Sequence, residues 1–293
     1  MSSALNEYLL SILFGVIEGL TEFLPVSSTA HIRIAEAMLG IDLTNGYWKM
    51  YAIVIQLGAI LCVPIYFRQR IRDFLFTFPK GKRGDRTWLT HPLTLVLIAF
   101  AFTAAPSLLL TKIIGKHLEN LSLMAGALIA GGVLMWAVDA IYGSSPEKQR
   151  TQDVEQVTPL QAVWIGACQT FAALFPGVSR SMATITAGQL AGMTRPAALE
   201  FSFLLSIPTM VAATGYDLLK SLRGQGAVNH LGSQGIDAHG WVVLAIGFVT
   251  SFVVAYAVVA WFMHWVRRRG FLVFAIYRIV LGVALLLWIG RHH

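Results

Sequence analysis

Residues 241–262 read WVVLAIGFVTSFVVAYAVVAWF, a run without one charged side chain. It matches the roughly 20 apolar residues that carry a helix across the hydrocarbon core of a bilayer. Working outward, five more blocks of the same kind occupy 50–67, 92–114, 121–142, 199–219 and 271–289. Six spanning helices are therefore expected, and the loops between them leave no room for a separate soluble domain. Composition agrees: 56% of the 293 residues are hydrophobic and 13% charged, where soluble domains carry about 25%. The whole of 1–293 reads as a single all-α integral membrane domain. The N-terminus lacks a basic region followed by a small-residue cleavage site, so its first apolar stretch is expected to stay.

The formal charge of +7 reports topology rather than nucleic acid, because the basic residues are not interleaved with aromatics on a polar face. Arg68, Arg70, Arg72, Lys80, Lys82, Arg83 and Arg86 crowd one loop, and Arg267, Arg268 and Arg269 another. The positive-inside rule makes both cytoplasmic. Tracing outward puts the loop near Lys116 outside, 143–158 inside, 220–240 outside and the C-terminus outside. This closes only if 160–192, broken at Pro176 and Gly177, enters and leaves on the cytoplasmic side, and 7–39, broken at Pro25, on the outer side. Irregular backbone at that depth is tolerated only where it lines a protein cavity. Cys62 and Cys168 sit in apolar segments, which argues against a disulfide or a cysteine zinc site.

The two broken segments resemble each other. Gly15, Glu18 and Pro25 have the spacing of Gly166, Gln169 and Pro176, and Ser28 and Ser179 each follow their proline by three. Gln56 and Pro64 likewise match Glu200 and Pro208. The halves 1–150 and 151–293 thus read as an inverted-topology repeat, each with one re-entrant hairpin and three spans. Such repeats commonly set a binding site near the midplane, where half-helix N-termini converge on an anion.

The chemistry concentrates in these hairpins. Glu18 and Glu22 share one helix face, and two carboxylates at membrane depth call for a cavity and a partner. A divalent cation, Mg2+ or Ca2+, suits them and would also bridge phosphate oxygens; pairing with an arginine is the plainer alternative. Ser28 and His31 follow the break and form either a nucleophile with its base or a hydroxyl beside a nucleophilic imidazole. Ser27 and Thr29 fit capping roles or phosphate contacts. In the second hairpin Ser179, Arg180, Ser181 and Thr184 follow the break, and hydroxyls, exposed N–H groups and a guanidinium fork together suit phosphate.

The runs EGLTEFLPVSSTAH (18–31), PGVSRSMAT (176–184), EFSFLLSIP (200–208) and FAIYR (274–278) closely resemble bacterial undecaprenyl-diphosphate phosphatases, the bacitracin-resistance type of membrane phosphatase. The resemblance covers nearly the whole chain. It implies hydrolysis of undecaprenyl diphosphate to the monophosphate and inorganic phosphate, which recycles the lipid carrier for cell-wall synthesis, from a site facing the periplasmic or outer side of the bacterial inner membrane. It further implies that Glu18 and Glu22 are the paired acids, Ser28 and His31 the nucleophile candidates, and Ser179, Arg180 and Thr184 the diphosphate ligands, assisted by Arg278. Ala30 and Met182 stand where the family usually has Gly, which alters backbone approach without removing a reactive group. The expected partners are the polyprenyl diphosphate and membrane lipids, with no nucleic acid and with a homodimer left open. A polyprenyl-phosphate transporter or flippase is the rival, since it needs the same binding site but no nucleophile.

Overall fold

In the computed structural model, residues 2–41, 46–110, 120–222 and 237–292 are described. The expected outer loop near Lys116 and most of 220–240 lie outside them. Among the described residues the chain is helical, with no strand. The order is α1 (Ser2–Thr21), α2 (Ser28–Leu39), α3 (Gly46–Tyr66), α4 (Arg68–Thr77), α5 (Pro92–Leu109), α6 (Leu121–Tyr142), α7 (Pro159–Leu174), α8 (Arg180–Leu190), α9 (Arg195–Leu222), α10 (Ala238–Val266) and α11 (Leu272–His292). Two short 3-10 turns, Pro146–Lys148 and Val154–Gln156, sit in the loop before α7.

Helices α5, α6, α9, α10 and α11 are long and apolar enough to cross a bilayer. The count of six needs a qualification at the first expected span. There α3 meets α4 at a 62° bend, and the two together make the sixth span only if taken as one. The cause is local: an apolar run gives way at Arg68 to Arg70 and Arg72, whose charge is costly in hydrocarbon. Both hairpins form where the sequence breaks them, α1 with α2 around Pro25 and α7 with α8 around Pro176.

The helices start on local signals. Thr158 and Gln161 make a reciprocal capping box with Pro159 at the first turn of α7, while Asn120 caps α6 and Asp237 caps α10. Glycine lets the backbones close. A Cβ on Gly58 would stand 2.5 Å from the Phe248 carbonyl oxygen, one on Gly15 2.9 Å from that of Gly247, and one on Gly19 2.8 Å from that of Ser251. Helices α1 and α3 therefore both lie against α10, as small residues permit where hydrocarbon supplies no hydrophobic drive. Gly166 does the same for α7 on α5, where a Cβ would overlap the Ala99 backbone.

Two ion clusters tie down the end of the bundle that holds the basic loops. Arg70 bonds Asp153 at 2.5 Å, Glu155 at 3.3 Å and Glu200 at 2.7 Å, joining α4, the 143–158 loop and α9. Burial pushes the Asp153 carboxyl up, but the Arg70 guanidinium and the Glu155 N–H outweigh it and leave the pKa below its ordinary value. Buried Asp139 on α6 accepts from Arg195 at 2.6 Å, Gln189 at 2.9 Å and the Phe271 N–H at 2.9 Å. Breaking such a cluster by removing one member leaves a buried group unsatisfied.

Candidate active site

The two breaks share an unusual backbone. Ser27 and Ser179 are the only described non-glycine residues with positive φ, at 75° and 73°. Left-handed backbone strains a residue with a Cβ, and such strain gathers at functional sites. Each serine accepts from the N–H three residues on, Ala30 and Met182 respectively, and so caps the half-helix that follows. Ser27, rather than Ser28, is therefore the conformational counterpart of Ser179. Counting from the prolines aligned Ser28 with Ser179, but the second turn spends an extra residue, Gly177 at φ 94°, before its cap.

The tips hold each other. Ser181 Oγ donates to the Leu24 carbonyl at 2.9 Å and pairs with Ser179 Oγ at 3.0 Å. Arg278, fully buried on α11, donates to the Pro25 carbonyl at 3.1 Å and to the Gly177 carbonyl at 3.0 Å. One guanidinium thus spans both breaks and satisfies carbonyls that no helix can. Arg278 does not line the cavity described next, nor do Glu18, His31, Ser181 and Thr184. Thr184 is turned to Ser202 Oγ, at 2.6 Å.

Between the tips and the inner faces of α5 and α9 lies a cavity of about 570 Å³. Glu22, Ser27, Ser28, Thr29, Ser179 and Arg180 form a polar end at the tips, and the α5 and α9 walls are largely apolar, with Phe100, Ala104, Leu108, Met210, Ala212 and Ala213 beside Thr103, Ser107, Thr209 and Tyr216. Glu22 is the centre of the polar end. Its Oε2 accepts from Ser28 Oγ at 2.6 Å and its Oε1 from Arg180 Nη2 at 3.3 Å. Arg180 also donates to the Ser202 carbonyl at 3.5 Å, lies 5.8 Å from the centre of the Phe23 ring, and keeps Nε buried without a partner. A guanidinium that lines a cavity beside hydroxyls suits an anion.

His31 is engaged elsewhere. Its Nδ1 meets the Ser27 carbonyl at 2.7 Å, its Nε2 the Tyr277 hydroxyl at 2.6 Å, and its ring stacks on that of Tyr277. The sequence spacing put Ser28 and His31 on one turn, whereas their side chains diverge: Ser28 to the carboxylate, His31 to α11.

The Glu18 carboxyl lies beside that of Glu22, and its Oε1 is buried with no hydrogen-bond partner. This donor set decides whether a divalent cation fits. Magnesium is held by one or two carboxylates together with phosphate oxygens and water, and Glu18 with Glu22 supplies that number. Among the described residues no group of three His, Cys, Asp or Glu side chains could hold a cation without substrate. The pair has the donor number for a cation that arrives with phosphate, with Glu22 lining the cavity and Glu18 buried behind it.

Sequence reasoning passed over Gln169, Thr103 and Thr209. Gln169 Nε2 donates to Thr103 at 2.9 Å and to Thr209 at 3.1 Å, linking α7 to both helices that wall the cavity. The available signal was the spacing that equates Gln169 with Glu18.

These features define a polytopic helical membrane protein with an intramembrane polar site that suits an anionic headgroup, and largely apolar walls that suit a hydrocarbon chain. Residues 11–284 match the family described as bacitracin resistance protein BacA, and the chain belongs to that family. It is 63% identical to an undecaprenyl-diphosphatase of Koribacter versatilis, over 97% of this chain and 99% of that one. It is 45% identical to one of Sorangium cellulosum over 95% and 85%, and 38% identical to one of Caldanaerobacter subterraneus over 95% of each.

Proposed function

We propose that the chain hydrolyses undecaprenyl diphosphate to the monophosphate and inorganic phosphate, in the cavity between the hairpin tips. The observation that carries this reading is Glu22 held between Arg180 and Ser28 at the polar end of a cavity whose α5 and α9 walls are largely apolar. A diphosphate lipid has the same division. The relatives named undecaprenyl-diphosphatase at up to 63% identity over nearly full length support it.

In this mechanism the diphosphate takes the Arg180 fork and the hydroxyls of Ser27, Thr29 and Ser179. Ser28 Oγ attacks the terminal phosphorus, its proton passes to Glu22 Oε2, and the bond to the bridging oxygen breaks, so that polyprenyl monophosphate leaves. Water then attacks the phosphoserine and releases inorganic phosphate. Ser28 is preferred as nucleophile because it already donates to a carboxylate at 2.6 Å, whereas both ring nitrogens of His31 are occupied. His31 orients the turn through the Ser27 carbonyl. Glu18 and Glu22 would hold a divalent cation, Mg2+ or Ca2+, which when bound neutralises phosphate charge. Arg278, Ser181 and Thr184 act through the backbone of the tips, a positioning role. Positioning and charge stabilisation are most of what phosphoryl transfer needs.

The site is taken to face the periplasmic or outer side of the inner membrane, since the cavity lies at the ends of α5 and α9 remote from the arginine-rich loops. An inverted repeat of 1–150 and 151–293 is supported by the matched cap conformations and by the packing of α1 on α10 and of α7 on α5, which exchange under the repeat. The test is phosphate release by the purified chain in detergent. Stoichiometric polyprenyl monophosphate and phosphate are expected; binding without release would make it a transporter.

A further inference from the structure

A second hollow, of about 590 Å³, lies on the other side of the second hairpin. Its floor is the α6 face at Gly126, Ala130 and Gly131, and one wall is formed by Trp164 and Phe171 of α7 with Phe175 at its C-cap. The floor is open at Gly126, where an added Cβ meets nothing within 4 Å. The three aromatic rings are 45%, 57% and 42% exposed, so the groove opens sideways into hydrocarbon.

The groove lies back to back with the site already described, on the opposite face of the second hairpin. Along one turn of chain, Ala172, Ala173, Pro176 and Gly177 line the phosphate cavity while Phe171, Phe175 and Val178 line the groove. The second hairpin tip is the wall between them. A polyprenyl chain of many isoprene units outruns the cavity, which also has to hold a diphosphate. The rings of Phe171 and Phe175 stand exposed on the far face of that wall, within reach of a tail that passes round the tip.

We propose that this groove between α6, α7 and α8 binds the distal isoprene units of the lipid substrate and so selects for chain length; the proposal rests on the phosphatase reading above. Lipid tails are as apolar as the groove, so the gain is contact and order rather than a hydrophobic drive. A closely fitted hydrocarbon collects many dispersion contacts, each small.

Filling the floor tests it. Gly126→Leu and Ala130→Leu occupy the groove from its open side and leave every residue of the cavity in place. Rates are compared for undecaprenyl diphosphate and farnesyl diphosphate in the same micelles, with oligomeric size measured by light scattering. The expected result is a loss of about three- to tenfold in kcat/KM for the long substrate, the scale of a handful of lost dispersion contacts, with the short one unchanged. An unchanged ratio between the substrates overturns the proposal, and a change of oligomeric size with no change of ratio assigns the groove to helix packing instead. Absence of release from either substrate by the unaltered chain overturns the phosphatase reading and this proposal with it.

Discussion

The two hairpin tips have the same backbone and opposite side chains. Both turn on a serine in left-handed conformation that caps the next half-helix. Before its break, the first carries Glu18 and Glu22; at the same spacing before Pro176 the second carries Gln169 and Ala173. After its break, the second carries Arg180 directly behind the cap, where the first has Ser28. One tip supplies the carboxylates and the proposed nucleophile, the other the guanidinium, and they meet in the Glu22–Arg180 contact. The shared backbone builds a strained, donor-rich turn twice. In the proposed mechanism the reaction depends on what the two tips do not share.

That division can be broken from either side. The largest effect is expected on the basic tip: Arg180→Ala should lower kcat by about 10³-fold, the scale of lost arginine stabilisation in phosphoryl transfer. Arg180→Lys should recover only part, since a point charge lacks the fork. Steady-state phosphate release measures both, and near-normal turnover by Arg180→Ala would remove the second tip from the site.

Within the acidic tip the comparison sharpens to Ser28 against His31. Ser28→Ala should cost about 10²- to 10³-fold and His31→Ala about tenfold, because Ser28 reaches Glu22 while His31 reaches only Ser27 and Tyr277. Acid quench of the working enzyme should trap a stable phosphoserine. An acid-labile label would make His31 the nucleophile, and no label under any quench would point to direct attack by water.

A smaller effect concerns the cation. Glu18→Gln should raise the metal concentration needed for half-maximal rate after chelation, because Glu18 Oε1 is the carboxylate oxygen without a partner, and an amide keeps the shape without the charge. Glu22→Gln should shift the curve too and also depress the maximum, since Glu22 holds Ser28 and Arg180. An unchanged curve in both variants would dismiss the cation.

The smallest effect lies away from the tips. The Asp153 pKa is held below its ordinary value of 3.8, so its contribution to stability is present above that value and lost as pH falls through the lowered one. Asp153 is partly exposed, which limits the contribution to less than about 1 kcal/mol. The melting temperature of Asp153→Asn should sit slightly below that of the parent at pH 7, and the gap should close below about pH 3.8. A gap that widened on acidification would contradict the assignment.

Much of this was legible in the sequence because the membrane leaves few options. Apolar runs had to be helices, Pro25 and Pro176 had to break them, and carboxylates at depth had to find a partner, which for Glu22 is Arg180. Contacts to backbone were not legible. Arg278 reads as one more polar residue beside a phosphate, yet it binds the carbonyls of Pro25, Ala127 and Gly177, and a carbonyl leaves no mark in a sequence. The bond from His31 to Tyr277 spans most of the chain, and no local spacing announces it. The groove beside α6 was hidden for a related reason: Gly126 and Ala130 look like any spanning helix until the neighbours that fail to fill the space are known.

The central claim is that a carboxylate and a guanidinium from different hairpins act as one unit, and a double-mutant cycle on Glu22 and Arg180 tests it most directly. The kcat/KM of Glu22→Gln, of Arg180→Ala and of the pair is measured against the parent chain. Groups that act as a unit lose their effect together, so the double variant should be no slower than the slower single one, within about threefold. Losses that multiply would mean that the two tips contribute independently, and that the Glu22–Arg180 contact is structural.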